Sequence, residues 1–215
     1  MISHLSKALL SLTFCAALAA PAAFAQNHST VTGYLNDETC ELVSGDYGDP
    51  SATMHVISDC QGPDNWTAVL HEYSSHQDIS FRYADQDDSG TLPILHNEQQ
   101  GGVADEIQWL YIDGRVFGAV LSYLENTWMT SPPRQAATTY VVALDRTDAP
   151  HTCVIGRFEG LPETGNEFPA ELYGHLFANM WNCAEDEMMV FTEESVEDIG
   201  FEGAVRAAAR AAGKL

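Results

Sequence analysis

Over much of this chain, apolar residues alternate with polar or small ones in short stretches, the two-residue period of half-buried strands. In Asp78-Ile-Ser-Phe-Arg-Tyr-Ala84 the period assigns Ile79, Phe81 and Tyr83 inward and Ser80 and Arg82 outward. Two longer runs, Asp105 to Ile112 and Arg115 to Leu124, bracket Asp113-Gly114. That dipeptide readily takes positive φ at both central turn positions, the strongest short-range hairpin signal a sequence carries. Ile107, Trp109 and Tyr111 fall on one face of the first run, and Leu110 and Ile112 on the other. Val116, Gly118 and Val120 alternate likewise with Phe117, Ala119 and Leu121. Both faces are apolar, so the hairpin is expected in mid-sheet with a layer packed on each side.

Further strands are expected at Val31 to Leu35, Ala52 to Asp59, Trp66 to Tyr73, Thr138 to Asp145 and Thr152 to Phe158, with a short edge strand over Met188 to Phe191. Short connections predict an antiparallel meander from Asp105 to Phe158. One helix is expected over 166–181, with Asn166 as N-cap and Pro169 in the first turn. Phe168, Leu172, Leu176 and Met180 form its apolar stripe, widened by Tyr173 and Phe177. The fold class is α+β: a strongly twisted antiparallel sheet of about six to eight strands with the helix packed across it. A single domain spans 26–200, and the Ala/Arg-rich tail 201–215 reads as weakly helical.

Residues 1–25 change the picture. Lys7 precedes an apolar run from Ala8 to Ala20, Pro21 breaks it, and Ala23-Phe24-Ala25 matches the small-x-small site of signal peptidase. Cleavage after Ala25 predicts an exported, periplasmic or secreted protein. The run is too short for a permanent span, and no other stretch approaches the roughly 20 apolar residues that a spanning helix needs. The leader holds one lysine and no acid, so its loss takes the formal charge from −22 to −23. Such a surface repels phosphate backbones and anionic lipid, which argues against nucleic-acid and membrane partners; it reads first as a solvated acidic shell, and alternatively as a patch for a basic partner or a cation.

Four cysteines survive processing: Cys40, Cys60, Cys153 and Cys183. An even count in an exported chain points to disulfides, with three connectivities open. Clustering in two sequence-local pairs favours Cys40–Cys60 and Cys153–Cys183. Loops of that length would each stabilise the fold by about 3 kcal/mol in the chain-entropy model.

Candidate chemistry is sparse. Asp85-x-Asp87-x-Ser89-Gly90-Thr91-Leu92 matches the first half of an EF-hand calcium loop, but His96 stands where the bidentate glutamate belongs and Pro93 intrudes. Calcium is therefore the one cofactor the motifs admit, with Asp85, Asp87 and Ser89 as its ligands. His71 and His76 are five apart, not the four of a zinc-protease helix, and on one strand they would face opposite ways. Glu171 and His175 are four apart on the helix, a spacing that forms an ion pair or a general-base dyad. No nucleophile elbow, P-loop or dinucleotide fingerprint occurs.

The order Tyr34…Asp37…Cys40, Cys60, Asp78-x-x-x-Arg82-Tyr83, Asp105-x-Ile107-x-Trp109, Gly114-x-x-Phe117-x-Ala119, His151-Thr-Cys-Val-Ile-Gly and a helix ending at Cys183 resembles a set of small uncharacterised exported proteins of proteobacteria. The resemblance implies one domain and two disulfides, and no assigned activity. The leading expectation is a non-enzymatic binding or inhibitor-like module for a protein or small-molecule ligand. The alternative is a periplasmic hydrolase with a dispersed acidic/His site, which a cleft gathering Asp, Glu and His around Arg82 or Trp109 would favour.

Overall fold

The computed structural model describes residues 27–45, 55–84, 101–127, 134–144, 152–159 and 167–192, with single positions of the tail. The expected leader, the Asp85–Ser89 motif and the Asn166 cap lie outside the described residues. In chain order the elements are β1 (His28–Tyr34), β2 (Cys40–Ser44), β3 (His55–Gln61), β4 (Trp66–Tyr73), β5 (Gln77–Tyr83), β6 (Gly101–Ile112), β7 (Arg115–Thr127), β8 (Arg134–Leu144), β9 (Thr152–Glu159), α1 (Glu167–Phe177) and β10 (Met189–Phe191). A 3-10 turn, Ala178–Met180, extends α1. In the tail, Gly203, Arg206, Ala207 and Arg210 are helical.

The strands form two sheets, one of six in the order β1-β6-β7-β8-β9-β10 and one of four in the order β2-β3-β4-β5. The expectation of a single sheet is thereby corrected. The physical reason lies in the inward face of β4 and β5, where Trp66, Ala68, Ile79 and Phe81 are all at most 1% exposed. One helix cannot cover that face and both faces of the central hairpin. The four-stranded sheet instead folds over one face of the six-stranded sheet, and α1 covers the other. The α+β class and the β6–β9 meander hold, and β10 joins the β9 edge in parallel.

The central hairpin turns at Asp113 and Gly114, with φ of 49° and 77°, and Ile112 opposes Arg115. The pairing shifts at two places, and at the one nearer the turn the faces exchange. Leu110 pairs with Gly118 and Tyr111 with Val116, which leaves Phe117 as the extra residue of a β-bulge. Val116 therefore joins Trp109 and Ala119 between the sheets, while Phe117 joins Leu110 and Val120 under the helix. Both assignments reverse the simple period.

The helix is also rotated from its expected stripe. Leu176 and Met180 are exposed, Leu172 is half-buried, and the buried face is Ala170, Tyr173, Gly174, Phe177 and Ala178, continuing to Trp181. Tyr173 and Phe177 repeat with the same four-residue spacing, and small residues lie beside them. A Cβ at Gly174 would run into Leu110 Cδ1 and lie 3.1 Å from Val141 Cγ1, so the missing side chain lets the helix settle close to the sheet. The Tyr173 hydroxyl donates to the Ile155 carbonyl at 2.9 Å, a bond that Leu172 or Leu176 could not make. Cys153–Cys183 ties β9 to the segment after the helix, and Cys40–Cys60 ties β2 to β3.

Candidate functional site

Between the sheets the packing is incomplete. A cleft of about 570 Å3 opens where the inner face of the four-stranded sheet meets the β1–β2 connection and β6. Its apolar lining is Leu35, Leu70 and the Cys40 bridge; its polar lining is Asn36, Asp37, Ser58, Glu72, Gln77 and Asp105. None of these described lining residues is basic.

Local chemistry positions each carboxylate. The Asn36 side chain accepts the Glu38 amide at 3.1 Å, and the Thr39 hydroxyl donates to the Tyr34 carbonyl at 2.6 Å. This Asx-type turn holds Asp37 at the cleft mouth. Glu72 ends the inward series Trp66, Ala68, Leu70, and Gln77 donates to its Oε1 at 3.4 Å. The other end of the Gln77 amide accepts the Val103 amide at 3.2 Å, which links the two sheets at the rim. Asp105 sits in an irregular stretch of β6, where pairing jumps from Val103–Tyr123 to Ile107–Leu121, and its carbonyl accepts the Leu35 amide at 2.7 Å.

A second polar group lies where β1 meets α1. The Thr30 hydroxyl hydrogen-bonds Glu171 Oε1, and Thr30 Oγ1 is 3.1 Å from His175 Nε2. His28 Nδ1 lies 3.3 Å from His175 Nδ1. A carboxylate only accepts, so Thr30 donates to Glu171 and accepts from His175 Nε2–H. The Nδ1 lone pair of His175 then faces His28. Burial, then the nearby His28, lowers the pKa of His175, against the opposing pull of Glu171. Glu171 and His175 do pair, at 3.5 Å, as their spacing predicts. A catalytic relay needs the hydroxyl and the carboxylate on opposite ring nitrogens. Here both approach Nε2, so His175 is not placed to take the Thr30 proton.

A third group covers the outer face of the four-stranded sheet. The rings of His55 and Tyr73 stack at 4.6 Å, Tyr73 and His76 at 4.7 Å, and His55 and His71 at 5.9 Å. His71 and His76 thus share a face, against expectation. The chain reverses at Ser74-Ser75, so strand parity does not carry from one histidine to the other. His71 Nε2 is 3.0 Å from Ser80 Oγ, but Ser80 and Asp78 are fully buried, which closes that hydroxyl to a substrate. Among the described residues, no three His, Cys, Asp or Glu side chains are arranged to hold a metal ion.

Of the residues singled out in the sequence, Arg82 pairs with Asp59 on that outer face, away from the cleft. Trp109 is 3% exposed, in edge-on contact with Phe81 inside the sandwich. Neither lines the cleft. Sequence reasoning passed over Glu72, although a carboxylate closing the apolar face of a strand is a legible signal. Asp37 and Asp105 gave none, because only the meeting of two sheets makes them neighbours of one cavity. No protein-family model, curated protein or solved structure matches this chain.

Proposed function

We propose that this is an exported binding protein, its leader removed after Ala25, that holds a small cationic ligand in the cleft between its sheets. The observation that carries this reading is the cleft itself: an open groove whose volume is within the usual range for ligand sites, roughly 300–1,000 Å3, lined by three carboxylates, Leu35, Leu70 and, among the described residues, no base. A strongly acidic chain raises the local concentration of cations around such a mouth. Two disulfides suit an exported domain. The hydrolase alternative is favoured less, since the Thr30–His175–Glu171 group has both partners on a single ring nitrogen.

Calorimetric titration of the mature protein with spermidine tests the reading. One ion should bind per chain, and Glu72→Gln and Asp105→Asn should each weaken binding about tenfold or more, the worth of a charged hydrogen bond. Binding that is absent, or indifferent to both substitutions, would reject the cleft as the site.

A further inference from the structure

Four strands end the two sheets: β1 and β10 in one, β2 and β5 in the other. Three of them are poor places to add a further strand. β10 has only three residues, and β5 is buried from Asp78 to Phe81. β2 carries Glu41 and is broken by a bulge between Leu42 and Ser44. A short edge, a charge and a bulge are the usual guards against pairing with another chain. β1 has none of them. Its seven residues, His28 to Tyr34, pair with β6 without a register shift and include no carboxylate, lysine or arginine. Five of the seven are exposed, with Val31 at 49% and Tyr34 at 50%.

The outward backbone of this strand is open. The Asp113 amide donates to the Asn27 carbonyl, and the Leu35 amide donates to the Asp105 carbonyl. Odd-numbered residues along this stretch therefore point their backbone groups at β6. Those of His28, Thr30, Thr32 and Tyr34 point the other way. The Tyr34 carbonyl accepts the Thr39 hydroxyl. The backbone groups of His28, Thr30 and Thr32 make no hydrogen bond among the described residues.

Charge decides what fits this edge. The Thr30 side chain bonds Glu171 of α1, so alternation places Thr32 and Tyr34 on that face too, with Glu106 opposite Tyr34. Asp113 stands at one end of the strand, its carboxylate on the Asn27 amide, and Asp105 at the other. Neither β1, β6, α1 nor the 35–39 connection contains a lysine or arginine. A second copy of the chain would bring the same carboxylates against these, at a net charge of −22 each. We infer that the β1 edge takes an extended basic segment of another protein as a seventh strand of the larger sheet. The segment runs antiparallel to β1, with lysines or arginines on the α1 face toward Glu171 and Glu106 and apolar residues beside Val31. Main-chain bonds to His28, Thr30 and Thr32 supply its affinity, and the alternating side chains its selectivity.

A capped heptapeptide of alternating lysine and valine, titrated into the mature protein by calorimetry and amide NMR, tests this. One peptide should bind per chain, and hydrogen exchange should slow at the His28, Thr30 and Thr32 amides. Methylating two lysine amides of the peptide keeps its charge and removes two main-chain donors, which should weaken binding about tenfold. Thr32→Pro removes an N–H that β6 does not use and should weaken binding as much. Val31→Lys, at an exposed position, should weaken it by charge, and gives the same readout should the proline disturb β1. The same peptide with glutamate for lysine should not bind. Binding that ignores methylation, or brings no new protection to β1, is attraction to acid alone and overturns the inference. Absence of binding overturns it too, as does sedimentation showing a dimer that Val31→Lys dissolves. No residue from His28 to Tyr34 lines the cleft, so failure here leaves the proposed cation site standing.

Discussion

The two faces of the six-stranded sheet are packed by opposite means. Under the helix, small residues in both layers, among them Gly118, Ala143, Ala170, Gly174 and Ala178, bring backbones close, and an aromatic group of Phe158, Tyr173, Phe177 and Phe191 fills what is left. Phe158 and Phe191 stack at 4.5 Å, with Tyr173 edge-on to both. Between the sheets the filling is done by long side chains, Trp66, Phe81 and Trp109, and at one end it stops. The contrast shows why the cleft lies where it does. A helix seated on glycine leaves no room, whereas two sheets held apart by tryptophans leave space wherever the large side chains run out.

Several substitutions would break or sharpen that contrast. The largest effect is expected between the sheets: Trp109→Ala should cost about 3–5 kcal/mol, as large-to-small core changes do, since Trp109 is only 3% exposed. Urea unfolding reads this directly, and a cost below that of an ordinary surface change would mean that Trp109 does not hold the sheets apart. On the helix side, Cys153→Ala with Cys183→Ala should cost about 2–5 kcal/mol. Non-reducing peptide mapping comes first; a peptide joining Cys40 to Cys153 or Cys183 would contradict the pairing observed.

Gly174→Ala is a finer probe of the close seat. Alanine is intrinsically the better helix former by about 1 kcal/mol, yet overpacking costs about 1–3 kcal/mol, and Leu110, which the new methyl would strike, is fully buried. Net destabilisation in thermal melts is therefore expected, and stabilisation would show that the helix stands further off.

Tyr173→Phe is the smallest. It removes the bond to Ile155 and should cost about 0.5–1.5 kcal/mol at neutral pH. Burial, then the Asp186 carboxylate, raises the pKa of Tyr173. Above the unfolded value of about 10, the unfolded chain loses a proton that the folded one keeps, so stability falls as pH rises. Stability curves from pH 8 to 12 should converge for the two proteins on the alkaline side. Parallel curves would show that another group drives alkaline unfolding.

Much of this architecture was legible beforehand. The Asp113-Gly114 turn, the meander and the buried character of both hairpin faces follow from residues that act on near neighbours: a dipeptide that tolerates positive φ, and alternation that any strand must obey. Short connections do the same for β6 to β9. The two-pair reading of the cysteines matches the bridges observed, since each joins elements that the chain already brings near.

What required the folded chain was every choice between near-equal alternatives. Two apolar series repeat every four residues on α1, and the sequence favours the longer one, which holds Leu176; only the gap beside Gly174 and a carbonyl at Ile155 select Tyr173 instead. The bulge at Phe117 exchanges two side chains between cores because the layers on either side need them there. The division into two sheets answers to surface that one helix could not cover, and the cleft lined by Asp37, Glu72 and Asp105 is a consequence of that division. Local rules act through a few bonds and are written in adjacent residues. Packing compares surfaces far apart in the chain, and that comparison is made only when they meet.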